Sequence, residues 1–105
     1  MKGLNLEKIY ENIDGLVQDL LIPARTEKKL DIQAFEKLYG ILIELEKELK
    51  GEDYIPRKIA GLLFFIYRSL SADAEHCSYN DELFLAVAKI EDMLDRILWD
   101  SPFKN

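Results

Sequence analysis

Apolar residues recur at spacings of three and four along most of this chain, the period of one face of a helix. Over residues 5–22 the stripe is Leu6, Ile9, Ile13, Leu16, Val17, Leu20 and Leu21. Asn5 is a candidate N-cap. Pro23 biases Ile22 away from helical geometry and so predicts the end of this first helix. Residues 23–30, with Arg25, Lys28 and Lys29, read as a loop. A second stripe, Ile32, Phe35, Leu38, Leu42, Leu45 and Leu49, predicts a helix over 31–50. Asp31 caps it, and Gly51 stands where a left-handed residue is wanted. Gly40 inside it costs about 1 kcal/mol relative to alanine, and close packing against a neighbour is the expected reason.

The third helix is predicted over 56–70. Pro56 opens it, where a missing N–H costs nothing. Its apolar run from Ile59 to Tyr67 is nearly continuous, so this helix is expected to be buried on more than one side and to form the centre of the core. The fourth, over 80–99, carries Leu83, Val87, Ile90, Leu94, Ile97 and Leu98, with Phe84 and Met93 beside them. Ser78 or Asn80 caps it. Asp92 and Arg96 sit four apart in the favourable order. Ser101-Pro102 stops the helix and leaves a tail over 100–105. Four amphipathic helices with short connections predict an all-α, antiparallel four-helix bundle, one domain over 1–105. No strand pattern competes. The aromatics Phe35, Phe64, Phe65, Tyr67 and Phe84 are expected to fill the core.

Composition narrows the function more than the fold. With 105 residues and 49 % hydrophobic content the chain is long enough for a core without staples. Its 20 acidic and 14 basic residues give a net charge of −6, which argues against nucleic acid as a partner. A single cysteine excludes an internal disulfide, and a single histidine excludes most histidine-rich metal sites. No apolar leader precedes the first helix. The apolar run of the third helix is about half the ~20 residues that cross a bilayer. A cytoplasmic protein with a reduced thiol is expected.

Chemistry is sparse. His76 and Cys77 are adjacent, a poor geometry for a nucleophile and its base. The paired carboxylates Glu44/Glu48 and Glu91/Asp95 lie off the apolar stripes, and no Glu-x-x-His motif accompanies them. Neither a phosphate-binding glycine loop nor a nucleophile elbow is present. No catalytic residue, metal ligand or cofactor site is assigned, and the chain is not expected to be an enzyme. Two features remain. Residues 54–72 hold three cations, Arg57, Lys58 and Arg68, and no acid, a basic island of +3 in an acidic chain. In the bland reading they balance carboxylates across the bundle surface. Near the C-terminus, Trp99 and Phe103 flank Pro102. They either fold over the bundle end or form a partner-binding edge, since such aromatics are typical interface anchors.

The stretch Tyr54-Ile55-Pro56-Arg57-Lys58-Ile59-Ala60-Gly61-Leu62-Leu63-Phe64-Phe65-Ile66-Tyr67-Arg68 resembles the immunity proteins of pediocin-like bacteriocins, the enterocin A immunity group. A proline opens the third helix, a basic residue follows, and an apolar aromatic run comes next. The preceding helix, Phe35-Glu36-Lys37-Leu38-Tyr39-Gly40-Ile41-Leu42 through Leu49, is similar to the family's second helix. The resemblance implies a small cytosolic four-helix protein that protects its cell from a pore-forming peptide. Its implied partner is the membrane permease of the mannose phosphotransferase system with bacteriocin bound, approached from the cytosol, with at most peripheral membrane contact. Toxin specificity is implied for the C-terminal half, which points to Arg57, Lys58, Arg68, Trp99, Pro102 and Phe103 as partner-binding candidates. The chain departs from the family's often basic character, so any contact with anionic lipid is expected through the basic patch. The rival reading is a cytosolic helical adaptor or regulatory module unrelated to bacteriocins.

Overall fold

The computed structural model describes residues 2–78 and 81–99, with side chains from Asn5 onward. Its helices are α1 (Lys2–Asp14), α2 (Val17–Glu27), α3 (Ile32–Leu49), α4 (Arg57–Ala74) and α5 (Glu82–Leu98). No strand occurs among the described residues, and the fold is an all-α bundle. The first apolar stripe makes one rod in two pieces. At the joint, the Gly15 N–H donates to the Glu11 carbonyl at 3.0 Å and the Leu16 N–H to the Ile13 carbonyl at 2.9 Å. The Leu20 N–H then restarts the helix on the Leu16 carbonyl.

Pro23 does not end this rod. It lies inside α2, and the chain stays helical to Glu27. Lys28, at φ 55°, supplies the left-handed residue that stops it, its N–H on the Ala24 carbonyl at 3.1 Å. Tertiary packing overrides the proline. Leu20 and Ala24 are fully buried on either side of it, and Arg25 and Lys28 are both held by Asp73 on α4. Other terminators act as the residue types predict. The Asp31 carboxylate accepts the Ala34 N–H at 3.0 Å, and Gly51 adopts φ 82°. Asn5 caps nothing; its amide donates to Glu48 on α3 at 3.3 Å. Asp81 is the N-cap residue of α5, and the candidate Asn80 lies outside the described residues.

Side-chain pairs give the helix directions. Asn5 meets Glu48, so α1 runs antiparallel to α3. Tyr67 meets Glu91 near the middle of the α4–α5 hairpin. Across the two hairpins, Lys58 meets Glu7 and Arg96 meets Glu46, so α4 runs along α1–α2 and α5 along α3 in parallel. The rod α1–α2 packs on α3 and α4, and α5 packs on the same two helices. Residues 50–56 therefore carry the chain across one end of the bundle, from α3 to the diagonally placed α4. Buried residues from all five helices form one core, with Ile13, Leu20, Leu38, Leu42, Leu45, Ile59, Ile66, Leu70, Leu83, Ile90 and Met93 almost wholly enclosed.

α4 is not the centre of that core. It buries one stripe, Ile59, Leu63, Ile66 and Leu70, leaves Ala60, Leu62 and Tyr67 half-buried beside it, and exposes Gly61, Phe64 and Phe65. Phe64 is 59 % and Phe65 41 % exposed, and Phe84 on α5 is also exposed. Of the aromatics expected inside, Phe35 is buried and Tyr67 half-buried. A helix at the corner of a four-rod bundle has neighbours on little more than one side, so nine consecutive apolar residues cannot all be covered. Gly40 is likewise exposed, with no heavy atom within 4 Å of where a Cβ would stand, so close packing does not explain it.

Candidate functional site

The partner-binding candidates separate onto two surfaces. Trp99 lies at the end of α5, its N–H on the Asp95 carbonyl at 2.9 Å and its side chain largely in solvent at 62 % exposure. Beside it, the 50–56 crossing brings up Tyr54, 89 % exposed, and Leu98 adds a third exposed apolar side chain. Together with Leu49 and Ile55 they frame a cleft of about 540 Å³ between the ends of α3 and α5. One wall is braced by a two-bond fork in which Arg96 donates to Glu46, Nη2 to Oε1 at 3.0 Å and Nε to Oε2 at 3.2 Å. This places Arg96 on α3's acid, not on Asp92 of its own helix. The C-terminal ends of two helices converge here, adding partial negative charge to that of Glu52 and Asp53. Pro102 and Phe103 lie outside the described residues.

The second surface is the outward side of α4. Arg57, Gly61, Phe64, Phe65, Arg68 and Ala72 are all exposed. No side-chain hydrogen bond or ion pair joins Arg57 or Arg68 to another described residue. Lys58 is different. Its Nζ donates to Glu7 at 2.7 Å and stands 4.5 Å from the centre of the Tyr10 ring. The bond to Glu7 holds its pKa above the ordinary lysine value, with the charges of Glu7 and Glu11 adding to it against some desolvation. The bland reading therefore holds for Lys58 alone, and its partner is on α1. On the opposite flank the Tyr67 hydroxyl donates to Glu91 at 3.0 Å, which raises the phenol pKa.

Cys77 Sγ lies 3.9 Å from the Asp73 carbonyl, which accepts its weak S–H bond, and His76 is exposed. Among the described residues no group of three or more His, Cys, Asp or Glu side chains stands together as a metal site, and no helix is long and apolar enough to cross a membrane. A shallower cleft of about 470 Å³, lined by Asn12, Leu16, Gly40 and Ile41, lies along the α1–α3 seam near the break in the first rod.

Sequence reasoning missed Tyr54 and Leu98 as members of the aromatic end, because the diagonal crossing that delivers Tyr54 leaves no periodic signal. The α4 surface did leave one. Positions 57, 61, 64, 65, 68 and 72 repeat at threes and fours on the side opposite Ile59, Leu63, Ile66 and Leu70. No family model matches the chain, and neither a curated protein nor a solved structure matches it.

Proposed function

We propose that this chain is an immunity protein for a pediocin-like bacteriocin, acting by binding and without catalysis. Its target is the toxin-engaged mannose phosphotransferase permease, reached from the cytoplasm with only peripheral contact at the inner membrane face. The observation that carries the reading is the aromatic end. Tyr54, Leu98 and Trp99, all from the C-terminal half where the family resemblance implies toxin specificity, are exposed around one cleft. The all-α bundle agrees with the architecture that resemblance implies.

Large aromatics held at the rim of a cleft are the side chains that dominate binding when a partner covers them, each worth about 2 kcal/mol or more as a hot spot. Expression in a sensitive bacterium should raise resistance to one or a few pediocin-like peptides. Trp99→Ala and Tyr54→Ala should each lower that protection at unchanged protein level, because both side chains are too exposed to matter to the fold. Exchanging residues 73–105 for those of a relative should change which peptide is resisted. No protection across a broad panel, with the protein present and folded, would overturn the reading in favour of a cytosolic adaptor.

A further inference from the structure

The two pieces of the first rod lean on different neighbours. α1 packs chiefly on α3, and α2 chiefly on α4. Between them the helix is interrupted. The Gly15 N–H still reaches four residues back, to Glu11, but the Leu16 N–H reaches only three, to Ile13, and the ladder resumes with the Leu20 N–H on Leu16. A glycine in such a joint gives the backbone a wide choice of dihedral angles. We propose that α2 is a strap. It opens as a unit about the Gly15–Leu16 joint while α1, α3, α4 and α5 stay folded, and so uncovers the C-terminal half of α4.

Three features of α2 make its hold weak. Its apolar anchorage is short. Within the helix Leu20 and Ala24 are buried, against six buried residues in each of α3, α4 and α5. Its internal ladder is incomplete. Pro23 has no N–H, so the Asp19 carbonyl loses its helical donor, and the proline ring crowds that same carbonyl. Its far end is strained and ionic. Lys28 stops the helix at φ 55°, the one positive φ of a non-glycine residue among those described, where a side chain's Cβ presses on the following carbonyl. The polar hold on α4 is the pairing of Arg25 and Lys28 with Asp73, and both cations are open to water. A cation that water solvates loses little when it lets go.

The neighbouring piece is held differently. α1 has no proline in its ladder, buries Ile9 and Ile13, and is tied to α3 through Asn5 and Glu48 and to α4 through Glu7 and Lys58. Beneath α2, α4 buries Leu70, Asp73 and Ala74. With the strap lifted these three form an apolar strip with one carboxylate in it, hidden in the closed bundle. The device rests on the α1–α2 joint. It is independent of the immunity reading, whose surface lies at the opposite end of the bundle.

Local openings need less free energy than global unfolding, and hydrogen exchange measures them amide by amide. Native-state exchange of the full chain, followed by NMR at a series of low urea concentrations, reads the strap directly. The amides of residues 24–28 should exchange as one set. Their protection should be about 100-fold or more below that of the slowest amides of α3, α4 and α5, and should depend little on urea, because the opening exposes little surface. Two variants discriminate. Ile97→Val, in α5 and remote from α2, destabilises the closed and strap-open forms alike. It should lower the slowest protection about five-fold and leave α2 exchange unchanged. Arg25→Ala acts on the closed form and should speed α2 exchange up to about five-fold. The proposal is overturned if α2 is as protected as the slowest amides, or if Ile97→Val speeds both sets equally. Exchange of α2 indifferent to Arg25→Ala also overturns it, as does exchange of α1 and α2 as one set, which would make the whole rod the moving unit.

Discussion

Asp73 is the buried charged residue of the described chain, and its surroundings make an asymmetric prediction. Its side chain is 7 % exposed and accepts Arg25 Nε at 3.1 and 3.4 Å and Lys28 Nζ at 3.3 Å. The two cations are 67 % and 38 % exposed, so water already solvates them in part. Removing one leaves the carboxylate the other, and Arg25→Ala or Lys28→Ala should each cost about 1 kcal/mol, discounted for solvent screening. Removing both strands a charge in a nearly closed pocket, and a buried charge without its partner costs about 3 kcal/mol or more. The double variant should therefore exceed the sum of the singles by about 1 kcal/mol.

The converse change is cheap. Asp73→Leu removes the buried charge and lets both cations turn to water, so it should cost no more than about 1 kcal/mol. Against a total stability of about 5–15 kcal/mol, all four variants remain folded and measurable. Urea unfolding followed by helical circular dichroism gives the four free energies, with equal slopes as the check on two-state behaviour. Strict additivity of the two single variants, or a leucine variant as costly as the double, would refute this account of the cluster.

Two further predictions are simpler. Gly40 is helical, exposed and has open space at its missing Cβ, so Gly40→Ala should raise stability by about 1 kcal/mol; a loss on thermal unfolding would mean that the space is needed. Tyr67 has its phenol pKa raised, chiefly because its hydroxyl donates to Glu91. A raised pKa in the folded state means that the bond's stabilising contribution is complete below about pH 10 and is lost as pH rises through the folded value. Ultraviolet titration of Glu91→Gln should show one tyrosine ionising at lower pH than in the parent, and an identical curve would dismiss the bond.

Much of the helical pattern was legible in the residues. Most of the α3 and α5 stripes are buried, because an amphipathic helix with one covered side writes its environment into every third or fourth position; Ile32 and Leu98, at helix ends beyond the reach of a neighbour, are exposed, and Val87 is half-buried. Asp31 and Gly51 behaved as their types require, since capping and left-handed geometry are decided within a few residues. The errors fall where distant parts of the chain decide. Pro23 is a terminator by local rules, and the buried Leu20 and Ala24 and the hold of Asp73 on Arg25 and Lys28 carry α2 past it. Phe64 and Phe65 belong to the core by hydrophobicity, which predicts a preference for burial and says nothing of whether a neighbour is available, and both face solvent. Of the candidate site, Trp99 was visible as an exposed terminal aromatic, whereas its partner Tyr54 was not.

Local residue patterns fixed most of the helical segments, most of the buried positions in their stripes and the lack of a familiar catalytic motif, because helical periodicity and motif spacing are local quantities. They also marked residues 54–72 as a basic island. Tertiary structure alone decided that α3 and α4 stand diagonally and that Lys58 is taken by Glu7 while Arg57 and Arg68 remain unpaired among the described residues. It decided, too, that two phenylalanines face solvent. Which side of a helix finds a neighbour depends on the order of the rods around the core, and that order is set by the packing of all of them at once.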